Sequence, residues 1–117
     1  MFAYASFAMR NPTHVTKHWR DQWATRKALL AHRKENPVCA LTGSTKNLQV
    51  HHIIPVSIDP TLAADSSNLI TLTRDVHFVV AHGGNWKNFN PDIILSIQML
   101  QAFTVVTKAH DDNHSDL

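Results

Sequence analysis

The apolar positions change rhythm several times along the chain, and each change marks an element. Across residues 14–35, Val15, Trp19, Trp23 and Leu30 recur near helical spacing, which predicts an amphipathic helix with that stripe turned inward. Thr13 or Thr16 stands where a cap belongs, and Asn36-Pro37 closes the helix, since proline disfavours helical geometry in the residue before it. Two short strands are predicted next. Residues 37–41 run into a turn at Thr42-Gly43-Ser44, and residues 48–54 are β-rich until Pro55, which cannot donate to a ladder. Residues 56–67 have no period, contain Pro60 and Asp65-Ser66-Ser67, and read as a loop. Residues 68–72 are a short apolar segment. Residues 74–82 predict a short helix ended by Gly83-Gly84. Pro91 fits the first position of a last helix over about 92–107, with Ile93, Ile94, Ile97 and Leu100 inward. Residues 1–13 read as an arm, and the acidic residues 111–117 as a frayed tail.

At 117 residues this is one α+β domain: a core over 14–90, preceded by the arm and followed by the last helix and tail. Charge adds a direction. Net charge is only +2 with histidines neutral, but residues 1–50 carry Arg10, Lys17, Arg20, Arg26, Lys27, Arg33, Lys34 and Lys46 against Asp21 and Glu35. Residues 51–117 carry three basic side chains against seven aspartates, so the halves balance at +6 and −4. Such asymmetry points to a polyanion facing the first half, or else to a solvated helix face with no partner. Cys39 is the only cysteine, so no intramolecular disulfide forms, which fits a reducing compartment. The apolar opening Met1–Met9 is too short to span a bilayer and lacks the basic start of a signal peptide. A soluble intracellular protein is expected.

The candidate chemistry lies in histidine. His51, His52, His77 and His82 fall in one window, with Asn68 between the pairs. On a strand, His51 and His52 point to opposite sides, so one imidazole can bind a metal while its neighbour aims elsewhere. Neutral imidazole is both the commonest metal ligand and the usual general base near pH 7.

The ordered set Val50-His51-His52-Ile53-Ile54-Pro55, then Asp65-Ser66-Ser67-Asn68-Leu69-Ile70-Thr71-Leu72, then His77, resembles the signature of the HNH endonucleases, the ββα-metal nucleases. The stretch from His77 through His82-Gly83-Gly84-Asn85-Trp86 also resembles small HNH proteins of phage and bacterial origin. The resemblance covers roughly residues 15–90. It implies a ββα-metal finger and hydrolysis of phosphodiester bonds in nucleic acid, with one divalent metal (Mg, Mn, Ni or Zn). By position, His52 matches the general base, Asn68 the residue that ties down the loop orienting it, and His51 and His77 the metal ligands. Some relatives place a further ligand one helical turn after the second. His82 lies five residues on rather than four, which rotates it about 100° too far for an α-turn, so it is a further metal ligand if the helix ends early at Gly83 and otherwise a phosphate contact.

Many relatives also hold a structural zinc with two Cys-x-x-Cys pairs. The matching positions here are Cys39, Thr42, Thr73 and Val76, so no structural zinc is expected and the finger rests on packing. Trp19, Trp23, Leu41 and Trp86 are the candidates to supply it. Beside a nuclease site, Lys17, Arg20, Arg26, Lys27, Arg33 and Lys34 read as phosphate contacts. DNA is favoured over RNA by the resemblance alone. No added recognition module is visible, so sequence specificity is low or comes from a protein partner. Oligomeric state is open. The alternative is a catalytically silent nucleic-acid-binding module that keeps the finger.

Overall fold

The computed structural model describes the backbone of residues 12–115 and the side chains of 21–105. Helix α1 spans Pro12–Glu35, strand β1 Leu48–His52, strand β2 Leu69–Thr73, helix α2 Arg74–Val76 and helix α3 Ile93–Ser115. The fold is α+β, three helices around one two-stranded antiparallel sheet.

The sheet differs from the expected pairing. Residues 37–41 form no strand. Cys39 N–H donates to Ser44 O and Gly43 N–H to Cys39 O (2.8 Å each), closing a tight loop with Gly43 at φ 73°. That loop uses the backbone groups a strand would offer, apart from Ala40 N–H, which donates to Thr71 O (2.9 Å). The partner of β1 is instead the segment after Asn68, in the register Leu48↔Thr73 through His52↔Leu69. β1 also ends at His52, two residues short of expectation, because Asn68 captures the next groups: Ile53 N–H donates to its carbonyl and Ile54 N–H to its Oδ1 (2.8 Å each).

Alternation along β1 gives the strand two jobs. Gln49 and His51 share a face with Ile70 and Leu72. Leu48, Val50 and His52 share the other with Leu69, Thr71 and Thr73. The core gathers Cys39, Leu48, Ile70, Leu72, Val76, Ala81, Ile93 and Ile97, with Leu41, Ile53 and Val80 against it.

The four positions matching the zinc cysteines do come together, by other means. Burial works to raise the Cys39 thiol, but hydrogen bonds from Thr42 and from the backbone of Thr73 and Leu41 outweigh it and hold the thiol below its ordinary value. Thr73 Oγ1 accepts from Val76 N–H (3.3 Å), capping α2, and Val76 packs in the core with Cys39.

Several expectations about helices fail. Trp23 and Leu30, two of the stripe residues, are 68% and 61% exposed. The half-buried positions of α1 are Thr25, Ala28, Leu29 and His32, a 3-4-7 pattern on nearly the opposite side. The packed face thus combines small Thr25 and Ala28 with Leu29, and Trp23 and Leu30 are left outside. Trp23 and Trp86 therefore do not brace the core; Leu41 does, and Trp19 lies outside the described side chains, while the expected cap at Thr13 or Thr16 fails, because the helix is already formed at Pro12 and both threonines stand inside it. In α3, Ile93 and Ile97 are buried, but Ile94 and Leu100 are exposed (45% and 41%). The helix also runs on through residues expected to fray, since neither glycine nor proline follows Pro91 to stop it.

Candidate metal centre

The face of β1 that carries Gln49 and His51 meets the turn after α2. There the chain forms one π-helical turn over His77–Ala81, closed by His82 N–H donating to His77 O (3.1 Å). A π-turn holds an extra residue, so residue i+5 lies over residue i. This removes the difficulty with the five-residue gap: His82 stands on the same side as His77, and both meet His51.

Three ring nitrogens converge. His77 Nε2 lies 3.0 Å from His51 Nδ1 and 3.1 Å from His82 Nε2. One ligand nitrogen from each ring lies within 4.8 Å of the other two, and the three histidines are close enough to hold a metal ion. The second nitrogens show which atoms carry protons. His82 Nδ1 faces the Asn88 carbonyl oxygen at 2.6 Å, which can only accept, so this nitrogen donates. His77 Nδ1 donates likewise to Gln49 Oε1 (2.8 Å). Both Nε2 atoms then present lone pairs to each other at 3.1 Å. Two facing lone pairs repel, and a cation between them turns that repulsion into coordination. Nitrogens each about 2.0–2.1 Å from one ion stand about 3.0–3.4 Å apart, so the separations of His77 Nε2 from His51 Nδ1 and from His82 Nε2 fit such an ion. His51 has one loose end: its Nε2 is buried with no partner among the described residues.

The electrostatics keep His51 and His77 neutral. Burial, with repulsion from His77, His82 and His52, pushes His51 down to about 3. Burial and the charge of His82 push His77 down to about 4. At neutral pH both rings are uncharged, the state a metal ligand requires.

On the opposite face of β1, His52 Nε2 donates to the Ala63 carbonyl (2.8 Å), which leaves Nδ1 with its lone pair free. Ala63 belongs to the loop 53–68, and Asn68 fastens that loop. Its Nδ2 donates to Ile54 O (3.0 Å) and Leu62 O (3.3 Å), while its Oδ1 accepts from Ile54 N–H. Asp59 and Asp65 brace the same loop by accepting from Thr61 and Ser67 N–H at the starts of two 3-10 turns.

Of the basic residues singled out on α1, Arg26, Lys27, Arg33 and Lys34 are exposed; the side chains of Lys17 and Arg20 lie outside the described set. Three groups escaped sequence reasoning. Gln49 was legible, two residues before His51 on the same strand face. The carbonyls of Asn88 and Ala63 were not, because every residue carries one. Comparison with protein-family models, with curated proteins and with solved structures gives no match. Among the described residues, no helix is long and apolar enough to cross a membrane.

Proposed function

We propose that the chain is a metal-dependent endonuclease of the HNH type, built on a ββα-metal finger, that hydrolyses phosphodiester bonds in nucleic acid, DNA before RNA. The observation that carries this reading is the division of labour across β1. Three imidazoles converge on one face, and a fourth, with one nitrogen tied to a carbonyl, stands on the opposite face.

His51, His77 and His82 would hold the ion, with Gln49 and Asn88 fixing two of the rings. A set of three nitrogens without a carboxylate suits zinc or nickel better than magnesium or manganese, which prefer oxygen. The bound cation supplies positive charge against the charge that develops on the phosphate and the departing 3′ oxygen. His52 Nδ1 takes the proton from the attacking water. The water oxygen bonds to phosphorus, the bond to the 3′ oxygen breaks, and the departing oxygen takes a proton from solvent water, so that a 5′ phosphate and a 3′ hydroxyl result. Asn68 positions the base by fastening the loop that carries the Ala63 carbonyl. The exposed Arg26, Lys27, Arg33 and Lys34 would track phosphates.

Plasmid nicking with zinc, nickel, manganese or magnesium, with and without chelator, tests the proposal. Chelator-sensitive nicking is expected, and His52→Ala should slow it about 10²–10⁴-fold while leaving zinc affinity nearly unchanged. Cleavage by that variant at the wild-type rate would overturn the role of His52. Binding without cleavage under every metal would leave a silent nucleic-acid-binding module.

A further inference from the structure

We propose that the exposed side of Trp86 is a stacking subsite for an unstacked nucleobase beside the metal centre, so that the substrate is single-stranded or locally opened nucleic acid. This rests on the nuclease reading above. Trp86 is 52% exposed and stands outside the core. Its indole packs against two of the clustered histidines, 5.1 Å from His77 in a T-shaped contact and 4.8 Å from His82, and against Phe78 at 4.9 Å. A nucleotide whose phosphate meets the histidines has its base within reach of that ring.

The ring is also held in place. Gly83 and Gly84, at φ 61° and 79°, turn the chain back after the π-turn, a conformation that residues with a Cβ rarely adopt. Gly84 N–H donates to Phe78 O (2.9 Å) and Asn85 N–H to His82 O (3.1 Å). Beyond the tryptophan, Lys87 N–H donates to Asn85 Oδ1 (3.0 Å) and Asn88 N–H to Asn85 O (2.9 Å). Trp86 is thus fastened on both sides, with exposed Lys87 next to it to meet a phosphate. The histidines do not need the indole for orientation, since Gln49 and the Asn88 carbonyl already provide it. What the indole adds is an accessible π-face. Bases inside a duplex are covered by their neighbours, and only an unstacked base has a face to offer.

The test uses the full chain with Trp19→Phe and Trp23→Phe, which leaves Trp86 as its only tryptophan. Its fluorescence is titrated at fixed salt, under chelator, with oligothymidylate, oligoadenylate and a duplex of equal length. Both single strands should quench it at concentrations where the duplex does not. Trp86→Leu should weaken single-strand binding roughly 5- to 150-fold. Duplex binding and zinc affinity should stay within about twofold, and Trp86→Phe should recover part of the loss. Equal quenching by duplex, equal loss for both forms, or lost zinc affinity in Trp86→Leu would overturn the subsite. Chelator-sensitive nicking by a protein that shows no quenching would sink the subsite alone. Absence of both binding and nicking on every substrate would sink the nuclease reading together with it.

Discussion

Burial leaves His51 and His77 neutral far below the ordinary histidine range, at about 3 and about 4. Unfolded, the same rings titrate near 6.5, so between these values the unfolded chain holds more protons. Their contribution to stability is complete above about 6.5 and is lost as the pH falls towards 3–4. The urea midpoint of the metal-free protein should therefore drop as it is acidified from about pH 7 to pH 4. A midpoint that held or rose over that interval would contradict the burial argument. Asn68 shows another use of a buried polar residue. At 5% exposure it satisfies both polar groups of Ile54 and the carbonyl of Leu62, so one side chain closes a long loop without burying unpaired backbone.

At the scale of elements, the π-turn brings the third histidine to the cluster. Deleting Val79, which is 61% exposed, should let His77–Ala81 relax to an α-turn with His82 at i+4, still on the side of His77. Zinc affinity should stay within about tenfold of the parent. Inserting one alanine after Val79 should instead rotate His82 about 100° away and remove most of the affinity. Titration of both variants with zinc against a competing chelator checks this; equal affinities would mean that His82 is not a ligand. Helix α1 shows how a periodicity can mislead. Trp23 and Leu30 mark a real apolar stripe, but the sheet and loop received the flatter face of Thr25, Ala28, Leu29 and His32.

Across the whole molecule, stability and binding draw on different surfaces. Ile93 is fully buried where α3 joins the core, while Phe103, two to three turns on, is 70% exposed. Ile93→Ala should cost about 2–5 kcal/mol. Phe103→Ser should stay within about 0.5 kcal/mol. Urea unfolding of both variants decides, and a large loss from Phe103→Ser would show that the far part of α3 is covered in solution. The basic half should act through α1. Replacing Arg26 and Lys27 by glutamine should weaken binding to all sequences alike and reduce the salt slope of log affinity by about 0.9 per lost duplex contact. An unchanged slope in a salt series would move the nucleic-acid path off this helix.

Much of the architecture is local and could be read from the residues. Pro37 and Pro55 remove a donor and restrict φ wherever they stand, Gly83-Gly84 permits a left-handed turn, and strand alternation sends His51 and His52 to opposite faces in any register. Other features needed the folded chain. A helix offers several faces, and the shape of its neighbour chose Ala28 over Trp23. Residues 37–41 had the composition of a strand but closed on Ser44, leaving β2 to pair with β1. The protons of His77 and His82 are set by the Gln49 amide oxygen and the Asn88 carbonyl. His82 joins His51 and His77 only because the backbone takes a π-turn between them. Backbone carbonyls occur at every residue, and helical pitch at a single turn is decided by the packing on either side, so only tertiary structure could place the third histidine.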